Sequence, residues 1–196
     1  MIDFLEGIDR TIVVVVNNWN SPFWDEFMWV VSGKLTWIPF YAFIFYLFYK
    51  KEGWKKSIFF LLGVIIAVAL ADLSSVHLFK NIFLRYRPSH NLLIENLLHF
   101  HQYDDGNLYQ GGMYGFVSSH AANFLAVCTF AYLGLKKHYP KLIYLFSAVV
   151  FIVCYSRLYL GVHYLSDVFV GGLLGAFCAF LSYRFIFLPL SRRINS

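Results

Sequence analysis

Residues 57–79 read SIFFLLGVIIAVALADLSSVHLF, a run in which Asp72 is the one formally charged side chain. About 20 mostly apolar residues suffice to carry a helix across the hydrocarbon of a bilayer, so the stretch reads as a transmembrane helix. Similar segments lie on either side of it, at 27–49, 121–135, 142–160 and 168–188. Segment 121–135 is short, and would begin near Ser118 or extend past Lys136 by snorkelling of the lysine stem. The whole chain agrees, being 59% hydrophobic and 21% aromatic. Only 14% of it is charged, against about 25% in ordinary soluble domains. The expected fold is an all-α polytopic membrane bundle forming one domain over residues 1–196, with five transmembrane helices.

Residues 2–18 are different. Phe4, Leu5, Ile8 and Ile12 recur at helical spacing with Asp3, Glu6, Asp9 and Arg10 between them, which predicts an amphipathic helix lying on the outer membrane surface. A sixth crossing is the alternative. Residues 1–10 are acidic and the apolar stretch 12–16 is short, so no cleavable signal is expected. Cys128, Cys154 and Cys178 fall inside apolar segments at wide spacing and read as packing residues. Pro39 and Pro189 are structural by default, and Gly171, Gly172 and Gly175 offer a close-packing face.

Charge distribution orients the expected bundle. Lys50, Lys51, Lys55 and Lys56 follow the first segment, Lys136, Lys137 and Lys141 the third, and Arg192 and Arg193 the fifth, with Glu52 the one acidic residue among them. By the positive-inside rule these connections are cytoplasmic, and the 89–117 connection faces outward. The net charge of +5 is therefore spread in short clusters that suit anionic lipids at the cytoplasmic face rather than nucleic acid. Nothing implies an obligate protein partner.

With that orientation three polar clusters reach the outer face: Lys80 with Arg87-Pro88, Ser118-Ser119-His120, and Ser156-Arg157 with His163 and Asp167. Lys80, Arg87 and Arg157 supply three fixed positive charges, two of them forked donors, which suits a phosphoryl group better than a single carboxylate. Ser118 adds a hydroxyl, and backbone N–H groups around Ser119 and His120 at a helix start would point at an anion. Taken singly, Lys80 is as readily a snorkelling lysine and Arg87 a turn-flanking residue. His163 and Asp167 are four residues apart, so on a shared helix the carboxylate would hold one imidazole nitrogen and leave the other free to attack phosphorus. His120 would protonate the leaving oxygen and then activate water.

Lys80-x6-Arg87-Pro88, Ser118-Ser119-His120 and Ser156-Arg157-x5-His163-x3-Asp167 together resemble the three-part signature of the type 2 phosphatidic acid phosphatase (PAP2) superfamily. The resemblance runs from about residue 70 to 175 and implies a membrane lipid phosphatase. It makes His163 the phosphohistidine-forming nucleophile, Asp167 its support and His120 the acid and then base. Lys80, Arg87, Ser118, Ser119 and Arg157 would cradle the phosphate. Val117 and Ser119 stand where the family's middle motif usually has proline and glycine, which leaves open the tightness of that turn and whether the serine side chain touches the headgroup.

No cofactor or metal is expected, since three cations already supply the electrostatics that Mg²⁺ provides elsewhere. His99 and His101 with Asp104 and Asp105 have some metal-ligand character but lack a further fixed ligand. The resemblance also implies the bacterial cytoplasmic membrane, with the site facing the periplasm. Lipid A phosphate and undecaprenyl diphosphate are the expected substrates, with phosphatidylglycerol phosphate or phosphatidic acid as alternatives. A vanadate-dependent haloperoxidase or a non-enzymatic lipid-binding or transport protein are the competing classes. Arg85 is read as contacting a second phosphate or facing headgroups, and Asp72 as a helix-to-helix hydrogen bond.

Overall fold

The lysine-rich stretch 50–56 separates two expected spans, and in the computed structural model, which describes residues 2–193, helix reaches into it from both sides and breaks only at Gly53. The helices are α1 (Ile2–Asn17), α2 (Pro22–Ser32), α3 (Ile38–Ser74), α4 (Ser119–Leu135), α5 (Leu142–Tyr159) and α6 (Leu165–Ser182). α3 continues through a wide helical turn at Ser75–Lys80 to Asn81–Phe83, and α6 through Tyr183–Phe187 to Leu188–Arg192. Pro39 sits in the first turn of α3, where its missing N–H costs nothing. Only isolated bridges, Tyr86 with Tyr114 and Gln102 with Leu108, interrupt the all-α character among the described residues.

The chain turns within α3 on a single residue. Gly53 has φ +77, a left-handed conformation that glycine adopts without penalty. Phe48 and Phe60 then stack with ring centroids 4.0 Å apart, whereas twelve residues of straight helix would separate them by about 18 Å. The two arms fold against each other. Glu52 at the bend pairs with Lys56 and with His138, both at 2.8 Å, which brings the α4–α5 connection to the same end of the molecule.

This corrects the expectation of five transmembrane helices plus an interfacial one. Among the described residues, three helical runs are long and apolar enough to cross a membrane: 35–83, 142–159 and 165–192. Most of the expected span 27–49 and all of 57–79 fall in the first run, because lysines are good helix formers and helix resumes directly on either side of the Gly53 turn. The first was also drawn too early, since Ser21 caps a separate helix α2 that stops at Gly33. α4 has 17 residues and rises about 26 Å, short of a hydrocarbon core about 30 Å thick.

α1 forms where expected but docks on protein. Its inward face carries Asp9, Val13 and Asn17, all buried and spaced four apart, while Phe4, Leu5 and Ile8 point outward. Asn17 Nδ2 donates to the carbonyls of Tyr159 and His99, each at 2.7 Å, and its Oδ1 accepts the His99 N–H at 2.7 Å. A hydrophobic stripe is a poor guide to the buried face of such a helix, because hydrogen-bonded polar side chains hold it.

Small residues let α6 lie against α4. A Cβ on Gly171 would meet Ser118 O at 2.6 Å, and one on Gly175 would run into the Ala122 carbonyl. Gly63 on α3 lies under the Phe130 ring, and Ser182 Oγ donates to Gly63 O at 2.7 Å. Phe48, Phe60, Phe130 and Phe187 complete the core at the Glu52 end. The sequence's polar clusters collect at the other end.

Candidate active site

His163 lies in the short connection between α5 and α6, two residues before the helix rather than on it. Its backbone N–H and that of Val162 donate to Arg157 O at 3.3 and 3.2 Å, and Gly161 at φ +66 makes the turn. Tyr164 caps α6, and Asp167 at the third helical position reaches back to accept the Tyr164 N–H at 3.0 Å. That capping geometry brings Asp167 Oδ2 to 3.4 Å from His163 Nδ1. Four-residue spacing therefore pairs them through a helix cap, not through a shared helical face.

The other imidazole nitrogen faces cations. His163 Nε2 is 3.2 Å from Arg87 Nη1, which also donates to Val162 O at 3.2 Å, while Arg87 Nε donates to Tyr114 O at 3.2 Å. Burial, followed by the Arg87 and Arg157 charges, pulls the His163 pKa well below the ordinary value of 6.5. The imidazole is thus neutral near pH 7, as a nucleophile requires. Burial and then Arg157 bring Arg87 down to about 10, still protonated at neutrality.

Arg157 is almost fully buried. Its guanidinium bonds Ser32 Oγ and donates to Tyr109 OH at 2.8 Å, whereas its Nε has no hydrogen-bond partner among the described residues. Buried donors are rarely left unpaired without a reason. Lys80 Nζ donates to Ser119 Oγ at 2.6 Å. Ser118 Oγ accepts the Ala121 N–H at 3.4 Å as the cap of α4, and Ser118 N donates to Asp167 O at 2.9 Å. His120 follows in the first turn of α4, within the field of Arg157, Lys34, Arg87 and Lys80. No side chain hydrogen-bonds its imidazole among the described residues. All the candidate site residues from the sequence thus gather at one end of the bundle: a neutral imidazole backed by a carboxylate, a second imidazole, and three cations whose donors suit a tetrahedral oxyanion.

The sequence profile of the PAP2 superfamily matches residues 57–189. The chain belongs to the PAP2 superfamily. It is a membrane lipid phosphatase of bacterial type. Two proteins called lipid A 4'-phosphatase are similar to this PAP2 protein over its whole length. The one from Bacteroides thetaiotaomicron is 34% identical over 84% of its own length, and the one from Porphyromonas gingivalis 32% identical over 80%. A crystal structure of the transmembrane PAP2 type phosphatidylglycerolphosphate phosphatase from Bacillus subtilis shares the fold. Its TM-score is 0.66 at 22% identity, covering 92% of this chain and 85% of that one.

Several residues of this PAP2 site escape sequence reading. Ser32 and Tyr109 hold Arg157, Ser75 lies 2.7 Å from Ser119 Oγ, and Lys34 adds an exposed charge near His120. Arg85 bonds Asp167 Oδ1 and Asp9 Oδ2, each at 2.8 Å, rather than standing free for a second phosphate. Burial works against its charge, but Asp167 and Asp9 outweigh that and raise its pKa. One signal existed: residues two apart in extended chain share a side, which sets Arg85 beside Arg87. His99 pairs with Asp25 at 3.0 Å and His101 stacks on Trp29 at 4.3 Å.

Proposed function

We propose that this PAP2 phosphatase removes a phosphate from lipid A, at the periplasmic face of the bacterial cytoplasmic membrane, through a phosphohistidine on His163. The observation that carries the chemistry is the division of labour on one ring, with Nδ1 toward Asp167 and Nε2 toward the Arg87 guanidinium. Support for the substrate comes from the two lipid A 4'-phosphatases, whose similarity extends across every part of this chain.

In the proposed reaction His163 Nε2 attacks phosphorus in line as the bond to the lipid oxygen breaks. Arg87, Arg157 and Lys80 hold the equatorial oxygens, and the unpaired Arg157 Nε is one donor for them. His120, which takes up a proton once the anionic phosphate offsets the cations around it, delivers that proton to the leaving oxygen and then takes one from the water that attacks the phosphohistidine. Inorganic phosphate departs and the His163 imidazole is restored. Ser118 and Ser119 present the start of α4 to the phosphate, Ser119 through its hold on Lys80. The lysine-bearing bend at Gly53 and the α4–α5 connection lie together at the opposite end, where anionic cytoplasmic lipids would meet them.

Phosphate release from purified protein in mixed micelles tests this, using lipid A, undecaprenyl diphosphate and phosphatidylglycerol phosphate side by side. Lipid A should be the preferred substrate and folded His163→Ala should be inactive. Undiminished release by that variant would sink the mechanism, and turnover of phosphatidylglycerol phosphate without turnover of lipid A would sink the substrate assignment.

A further inference from the structure

Asp167 divides its two oxygens. Oδ2 serves the Tyr164 N–H and His163 Nδ1, while Oδ1 accepts Arg85 Nη1 at 2.8 Å. Arg85 Nη1 also reaches Ser166 Oγ at 2.7 Å, and its Nη2 donates to Asp9 Oδ2 at 2.8 Å. The guanidinium lies over the Tyr164 ring, with Cζ 4.3 Å from the centroid. Asp9 is itself fixed, since its Oδ1 accepts the Ser166 N–H at 3.1 Å and its Oδ2 accepts the Ser166 hydroxyl.

We infer that Arg85, anchored by Asp9 of the N-terminal helix, is a positioning residue for the His163–Asp167 pair, and that α1 is thereby part of the catalytic apparatus. The inference rests on His163 being the nucleophile. A carboxylate held only through Oδ2 can rotate about its last torsion and let the imidazole swing. Arg85 pins the second oxygen and closes that freedom. A guanidinium bound to Asp167 alone would also be drawn toward an incoming phosphate; Asp9 and the Tyr164 ring hold it in place from the far side. Asp9 and Arg85 stand 76 positions apart in sequence, so the contact needs α1 docked.

Arg85→Ala, Arg85→Lys and Asp9→Asn in the full-length purified protein test this, with kcat and KM read from phosphate release on lipid A micelles. Arg85→Ala should lower kcat about 10- to 100-fold, by analogy with loss of the partner that orients a metal-bound histidine. KM should stay within about twofold, since ground-state binding is untouched. Asp9→Asn should act in the same direction but less, and Arg85→Lys, which keeps the charge, should recover part of kcat. If Arg85→Ala raises KM at unchanged kcat, Arg85 binds phosphate and the inference is overturned. Wild-type kinetics in Asp9→Asn overturn the role of α1. A poorly folding Arg85→Ala leaves Asp9→Asn and Arg85→Lys to decide on the same kcat and KM criteria. Retained turnover in His163→Ala is a separate result that removes the underlying reading instead.

Discussion

Lys80 Nζ donates to Ser119 Oγ at 2.6 Å, and the same hydroxyl lies 2.7 Å from Ser75 Oγ. A lysine is a flexible point charge, so its usefulness to a phosphate depends on where it is held. Here a side chain at the position where the family's motif usually has glycine does the holding. Hydrogen bonds to charged groups contribute about 1.5–3 kcal/mol, which is roughly 10- to 150-fold in an equilibrium. Ser119→Gly and Ser119→Ala should therefore lower kcat/KM about tenfold with the protein still folded. Kinetics unchanged from wild type in both variants would show that Lys80 needs no anchor.

Arg157→Lys should be far from conservative. Lysine cannot satisfy Ser32 and Tyr109 together and still offer a donor where Arg157 Nε stands. By comparison with losing one oxyanion donor, kcat should fall about 10²- to 10³-fold. Single-turnover phosphate release measures it, and a loss confined to KM would count against a transition-state role.

The depressed pKa of His163 has a consequence for stability. The unfolded chain takes up a proton at this residue near pH 6.5, while the folded chain does so only at much lower pH. More protons bind to the unfolded state in that interval, so stability is greatest above pH 6.5 and falls as the pH drops below it. Thermal unfolding in detergent should give wild type and His163→Asn parallel profiles above pH 6.5. Below it the wild type should lose stability faster, and parallel curves down to pH 5 would contradict a buried neutral imidazole.

Gly175→Val should destabilise the bundle. Even a Cβ there runs into the Ala122 carbonyl, and a backbone atom has no rotamer by which to move aside. Overpacking typically costs about 1–3 kcal/mol, and here it also moves α4 away from α6. A lower unfolding midpoint together with reduced turnover is the expected pair of results. An unchanged midpoint would mean that the helices are less tightly apposed than described.

Much of the site was legible because its residues interrupt apolar sequence. Lys80, Arg87, Arg157 and His163 stand at or just beyond helix ends, where a charged or polar residue is conspicuous, although the five-span alternation used to bring those ends together is not the observed count. A connection at the lysine cluster 50–56 was legible, but that it would narrow to a turn on the single residue Gly53, with helix directly on either side, was not. Its effect appears only when Phe48 meets Phe60. The buried side of α1 was hidden for a different reason. Asp9 and Asn17 look solvent-facing until the partners that satisfy them, Arg85 and the Tyr159 and His99 carbonyls, are known to be near. Pairings across such sequence distances leave no local pattern.

The meeting of α6 with α4 is made by main chain, Gly171 against Ser118 and Gly175 against Ala122. His120 rides on one of those helices and Asp167 on the other. Side chains can swap rotamers to suit a different guest, but two peptide backbones in contact have almost no slack. The span between His120, the proposed proton donor, and Asp167, the proposed support of the nucleophile, is therefore the least adjustable dimension of the enzyme. A change of lipid would have to be accommodated elsewhere, while the reacting centre keeps one fixed gauge.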